Sequence, residues 1–163
     1  MIMQKIALRY GLWMFAGFTV FFLLMHLFGL SQNYNLRIFN GVIHLSLIYL
    51  AIRDYRHTHE DSVNNYVSGV AMGMYASVIG VIGFTIFMLL YLIGDANFMQ
   101  ALRETNPLGE YLTPITASLF ILMEGIAISL IGSYIITRVI DMRLSHAWLG
   151  ECLNEWMIDW VID

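Results

Sequence analysis

Four apolar stretches, each long enough to cross the hydrocarbon core of a bilayer, constrain this chain more than any motif does. A membrane-crossing helix needs about 20 mostly apolar residues. Stretches of that kind fall at residues 7–30, 36–55, 66–93 and 112–137. Lipid offers no hydrogen-bond partner to a backbone, so continuous runs of this length predict helices. The second stretch is the weakest, because Asn40 and His44 interrupt it. Composition agrees with this reading: 59% of the 163 residues are hydrophobic and 12% charged, with a mean hydropathy of +0.69. An ordinary soluble domain carries roughly 25% charged residues. The expected fold class is all-α: an integral membrane four-helix bundle over 1–143, followed by a C-terminal amphipathic helix over 144–163.

Orientation follows from the basic residues. Lys5, Arg9, Arg53, Arg56, Arg138 and Arg143 fall on one side of the expected bundle, and Arg37 and Arg103 on the other. The positive-inside rule then puts both termini in the cytoplasm, which four spans allow. Lys5 and Arg9 before an apolar run resemble the start of a signal peptide. That run exceeds the usual h-region of about 7–15 residues, and no small-x-small cleavage site follows, so it is read as an anchor. A net charge of −4 with no Lys/Arg cluster gives no footprint for nucleic acid. Cys152 is the single cysteine, which excludes an intrachain disulfide and a cysteine metal cluster.

Two segments lie outside the spans. In the loop from Gly94 to Tyr111, Phe98, Met99 and Leu102 recur at helical spacing before Asn106-Pro107 breaks the pattern, which predicts a short helix lying on the membrane. In the tail, Leu144, Trp148, Cys152, Trp156 and Trp160 repeat every four residues, opposite Glu151, Asn154, Glu155 and Asp159. Tryptophans suit a membrane interface, but surface helices usually carry basic residues on their polar face. Lipid and a partner protein are therefore equally good occupants for this acidic helix.

Small residues mark the packing faces. The third span carries Gly69, Gly73, Ala76, Gly80 and Gly83 in one stripe, and the fourth carries Ser118, Gly125, Ser129 and Gly132. Small residues let helix backbones approach closely in lipid, so the third and fourth spans are expected to pack on each other. Homodimerisation through one of these faces is the alternative.

Polar residues inside the spans are the candidates for chemistry. Glu124 is a lone carboxylate near the middle of the fourth span, on the shoulder of its small stripe. An ionisable group at that depth normally faces the bundle interior or a wet cavity. Arg37, Asn40 and His44 share a face of the second span, and His26 lies in the outer third of the first. By depth, His26, His44 and Glu124 are expected to reach one pocket open to the outside. Such a cluster has two readings: a carrier of protons or cations, or hydrogen-bonded glue between helices. The run Arg53 to Asp61, with His57, His59, Glu60 and Asp61, is read as a solvated loop rather than a metal site. Two histidines on neighbouring helices do not make a haem site, and neither cofactor nor metal is expected. No HExxH, GxSxG, P-loop or paired-carboxylate signature occurs.

The order of short motifs resembles an uncharacterised family of small four-span bacterial membrane proteins, a domain of unknown function common in Bacteroidetes. The matching segments are Lys5 to Gly11, Tyr49 to Arg56, the glycine-rich third span, Asn97-Phe98-Met99, and Leu122-Met-Glu-Gly-Ile-Ala-Ile-Ser-Leu-Ile-Gly132. The resemblance covers the chain to about Arg143, and the tryptophan-rich tail departs from it. It implies a multi-pass inner-membrane protein and supplies no activity. The function expected is a non-catalytic accessory or structural subunit of a larger membrane assembly, in contact with the bilayer and with other subunits or a second copy. The alternative is a small proton- or cation-linked transporter using Glu124, His44 and His26; an intramembrane enzyme with His44 and Glu124 as acid and base is weaker.

Overall fold

Local signals decide where the helices begin and end. The computed structural model of the chain describes residues 2–29, 37–58, 65–105 and 109–162, and within these the side chains of 3–29, 38–58, 65–105 and 109–143. Helix α1 spans Ile2–Leu27, α2 Arg37–Thr58, α3 Tyr66–Gly94, α4 Ala96–Thr105 and α5 Pro114–Ile162, with a 3-10 turn at Gly109–Tyr111. Gly29, at φ +68°, follows the end of α1 in a left-handed conformation that suits glycine, and its N–H bonds back to the carbonyl of His26 at 3.0 Å. Asp95 starts α4 by accepting the N–H of Phe98 at 2.9 Å. Pro114 opens α5, where a missing N–H is harmless. Thr113 and Thr116 cap that end reciprocally: Thr113 Oγ1 accepts the Thr116 N–H at 3.1 Å, and Thr116 Oγ1 accepts the Thr113 N–H at 2.8 Å.

Among the described residues, three helices are long and apolar enough to cross a membrane: Met3–Leu27, Tyr66–Gly94 and Pro114–Arg143. Helix α2 has the length, 22 residues, but its polar residues dilute the average. They are unevenly distributed. His44 and Arg56 are buried, while Ile38, Phe39, Val42, Leu45 and Leu50 are exposed. An average over the whole helix merges an inward polar face with an outward apolar one.

The four long helices pack as a rhomb. Helix α3 runs along α1 on one side and α5 on the other, α2 touches all three, and α1 and α5 occupy the far corners. The expected packing of the third span on the fourth is present, as α3 on α5, but the α3 glycines face three helices, α1, α2 and α5. A methyl group on Gly69 would meet Arg56 of α2 and Thr137 of α5, and one on Gly73 would meet Ser133 of α5 and Ile52 of α2. Gly80 and Gly83 instead face Met14 and Phe15 of α1. Gly125 lies against Val81 of α3, whereas Gly132 lies against Leu45 and Ile48 of α2. Helices that cross at an angle exchange neighbours along their length, so one stripe meets different partners at different depths.

Two further segments are expected outside the spans. The short helix is present as α4, and it does not stand apart from the bundle: Phe98 and Met99 are buried, and Phe98 packs edge-on against Phe22 and Tyr91. The aromatic cluster gives these side chains more burial than a surface position would. The tail is not a separate helix either. Helix α5 continues without interruption for 49 residues, about 73 Å at ~1.5 Å per residue. Its last part therefore extends well beyond a hydrocarbon core of about 30 Å. The side chains of Trp148, Trp156 and Trp160 lie outside the described residues.

Gly80→Ala is expected to lower stability in detergent by about 1–3 kcal/mol through overpacking, because its methyl would sit 2.7 Å from the Cβ of Met14. Gly41→Ala, with nothing within 4 Å, is expected to be neutral or slightly stabilising. Thermal unfolding of the two variants side by side checks this.

Candidate functional site

The interior polar groups sit on three interlocking rows, each built by stepping four residues along a helix. On α2 the row is His44, Ile48, Ile52 and Arg56; on α3 it is Gly69, Gly73 and Ser77; on α5 it is Ser129, Ser133, Thr137 and Asp141. Rows of this kind form the ridges by which helices mesh. At one end of these rows stands His44, 3% exposed, whose Nε2 lies 3.2 Å from the hydroxyls of both Ser77 and Ser129. Ser129 donates its own proton to the Gly125 carbonyl at 2.6 Å, so its oxygen faces His44 as an acceptor. The Nε2–H tautomer serves that arrangement. Phe18 of α1 covers the imidazole edge-on, with ring centroids 5.4 Å apart. His44 thus joins all four long helices.

Three turns along, the same rows end in an ion pair. Arg56, 2% exposed, donates from Nη2 to Asp141 Oδ2 at 2.9 Å and from Nη1 to Ser68 Oγ at 3.2 Å. Both terminal nitrogens also lie 3.4 Å from the Asn65 carbonyl. Gly69 makes room for the guanidinium: a Cβ there would fall 2.7 Å from Nη2. Between the ion pair and His44, Ser133 Oγ, Thr137 Oγ1 and Asp141 Oδ1 are buried and make no hydrogen bond within the chain.

A second polar cluster sits at the α4 end. The Tyr91 hydroxyl lies 3.1 Å from His26 Nε2 and donates to Asp95 Oδ2 at 3.2 Å. His26 also meets the rings of Phe22 and Phe98. The Phe98 N–H holds the Asp95 carboxyl below its ordinary value against desolvation, helped by the Tyr91 hydroxyl and by His26. This cluster clamps α1, α3 and the start of α4 together.

The residues expected to share one pocket are therefore apart. His44 is locked between Ser77 and Ser129, and His26 belongs to the Tyr91–Asp95 cluster. Glu124 is exposed, as are Leu119, Phe120, Met123 and Leu130 of the same helix, rather than turned into the bundle. The reason is angular: at about 100° per residue, a position adjacent to Gly125 already lies off the row that α5 packs inward. Asn40 is half-buried one turn from His44, with Oδ1 making no hydrogen bond within the chain. Arg37 opens α2, and its side chain lies outside the described residues, as do His59, Glu60 and Asp61. Among the described residues no group of three His, Cys, Asp or Glu converges as a metal site.

Sequence reasoning missed Arg56–Asp141, Ser133 and Thr137. The signal was present in the four-residue spacing of Ser129, Ser133, Thr137 and Asp141, and in a cation and an anion near span ends. In the sequence, Arg56 counts only as a marker of orientation, and Asp141 carries no reading of its own. No protein-family model, curated protein or solved structure matches the chain.

Arg56→Met is expected to destabilise the protein by about 3–5 kcal/mol, because it strands a mostly buried carboxylate. Adding Asp141→Leu should recover most of that loss, and a double-mutant cycle of unfolding measurements reads the coupling. For Asp95 the native pKa is lowered from 3.8, so its stabilisation is fully present above the ordinary aspartate range and is lost as pH falls through the native value. The difference in melting temperature between the parent chain and Asp95→Ala should accordingly be widest near neutrality and narrow below the 3.8 reference value.

Proposed function

We propose that the chain is a four-span inner-membrane protein of the kind its sequence resembles, with both termini in the cytoplasm, acting as a non-catalytic subunit of a larger membrane assembly. The observation that carries this reading is the exposed Glu124. It lies ten residues into the apolar span that begins at Pro114, about 15 Å along the helix. Although Glu124 interacts within its own chain, it stays exposed among large apolar side chains. A carboxylate facing acyl chains is costly, and such groups normally meet protein. Crossing by α2 is supported by its length of about 33 Å and by the burial of His44 and Arg56 away from its apolar outer side.

Charge favours a second protein over a second copy as the occupant of this face. A copy related by a two-fold axis at this level would present the same carboxylate, and two such groups repel. A partner helix bearing a basic or amide donor at this depth covers the exposed Glu124 face and adds to the interaction Glu124 already has within its own chain. Purification in mild detergent followed by native mass spectrometry is expected to show a distinct stoichiometric partner. Glu124→Leu should lose most of that partner while the chain stays folded, and deletion of 144–163 should weaken the complex further. Undiminished partner recovery from Glu124→Leu, or a homodimer with no second protein, overturns the reading.

A further inference from the structure

Arg9 and Arg53 are exposed cations that the bundle does not pair. Arg56 is buried and bonded to Asp141 at 2.9 Å, whereas neither Arg9 nor Arg53 forms an ion pair with a described carboxylate. The fold nevertheless brings the two together from different helices. Helices α1 and α2 run antiparallel, since Phe21 meets Phe39 and Phe18 meets His44. Tyr10 therefore comes level with Asp54. The Tyr10 hydroxyl interacts with the Asp54 carboxyl, and the charges of Arg9 and Arg53 both reach that hydroxyl. The Arg9 guanidinium lies 5.5 Å from the centre of the Tyr10 ring.

The surroundings narrow the chemistry of what fits there. Lys5, Arg9 and Trp13 follow at four-residue steps along α1 and are all exposed, so they form one row from the helix end inward. Trp13 is 63% exposed and Leu12 53%, which leaves apolar surface about one turn deeper than Arg9. Indole rings settle at the headgroup level of a bilayer. Lys5, Arg9 and Arg53 outnumber Asp54, which is already engaged by Tyr10. An excess of cations above apolar surface matches an amphiphile with an anionic head. Guanidinium groups offer forked donors that fit phosphate oxygens. A headgroup that adds an ammonium to its phosphate is repelled by the same cations.

We propose that the Arg9–Arg53 end of the α1–α2 seam is a binding site for an anionic glycerophospholipid. The two guanidiniums hold one phosphodiester from two helices, Lys5 adds charge at the rim, and Trp13 sits between headgroup and acyl chains. The inference rests on α1 and α2 crossing the membrane side by side, and not on the subunit role. A chain that recovers no protein partner but keeps the lipid preference fails the subunit reading alone. A chain that recovers its partner without that preference fails this one alone.

Two measurements on the full chain test the site. In native mass spectrometry from mild detergent, phosphatidylglycerol is expected to be retained about tenfold over phosphatidylcholine of equal chain length. The double variant Arg9→Gln/Arg53→Gln should lose that preference, and Arg138→Gln, an exposed cation on α5, should keep it. Equal retention of the two lipids, or equal loss in both variants, overturns the proposal. Displacement of the lipid by glycerol phosphate in excess assigns the site to a soluble phosphate and overturns it too. The second measurement needs no charge variant to fold. In nanodiscs of mixed lipid, with Trp148→Phe, Trp156→Phe and Trp160→Phe leaving Trp13 as the one indole, phosphatidylglycerol with brominated chains should quench Trp13 more than brominated phosphatidylcholine at the same mole fraction. Equal quenching by the two overturns the proposal.

Discussion

The most extensive helix contacts in this protein are those of α3 with α1 and α5, and they depend on how closely α3 approaches these neighbours. In lipid there is little hydrophobic incentive for helices to associate, and close backbone approach supplies dispersion and short hydrogen bonds in its place. The side-chain-free positions on α3 set that approach. Gly69 and Gly73 admit Arg56, Thr137 and Ser133, while Gly80 and Gly83 admit Met14 and Phe15. Without that clearance α2 and α5 would stand farther from α3, and the hydroxyls of Ser77 and Ser129 would not meet the same nitrogen of His44.

The approach also explains how an arginine becomes almost fully buried. A buried charge is tolerated when it is paired and hydrogen-bonded. Arg56 gains an ion pair from α5, a hydroxyl from α3 and the carbonyl of Asn65 just before α3. Asn65 and Ser68 lie 9 and 12 residues from Arg56 and Asp141 lies 85 away, so these bonds tie α2 to the start of α3 and to α5. At the α4 end, His26, Tyr91 and Asp95 play a comparable part for α1, α3 and α4. The bundle is thus held by a polar clasp at each end and an apolar middle of Met14, Phe18, Ile48, Phe84 and Met88.

Much of the site was readable in the sequence, but not its grouping. His44 was visible as a polar interruption of an apolar run, and Glu124 as an isolated acid. Periodicity fixes an angle on one helix, and it placed Ser118, Ser129 and Gly132 on what is the buried side of α5. A shoulder position such as Glu124 depends on where the neighbouring helix lies, which periodicity does not report. Depth groups His26, His44 and Glu124 in one outer region, yet similar depth does not imply contact when helices are at different corners.

The sequence by itself determined that this chain is helical, that at least three of its helices have the length and apolarity to cross a membrane, and that small residues mark their packing faces. These are local properties: run length, hydropathy and the geometry of one helix. The tertiary structure alone decided which partner each small residue meets, that Arg56 and Asp141 pair across 85 residues of sequence, and that Glu124 turns outward while His44 turns in. Those outcomes depend on crossing angles and helix order around the bundle. They are set by the sum of many contacts between distant residues, and no single stretch of the chain encodes them.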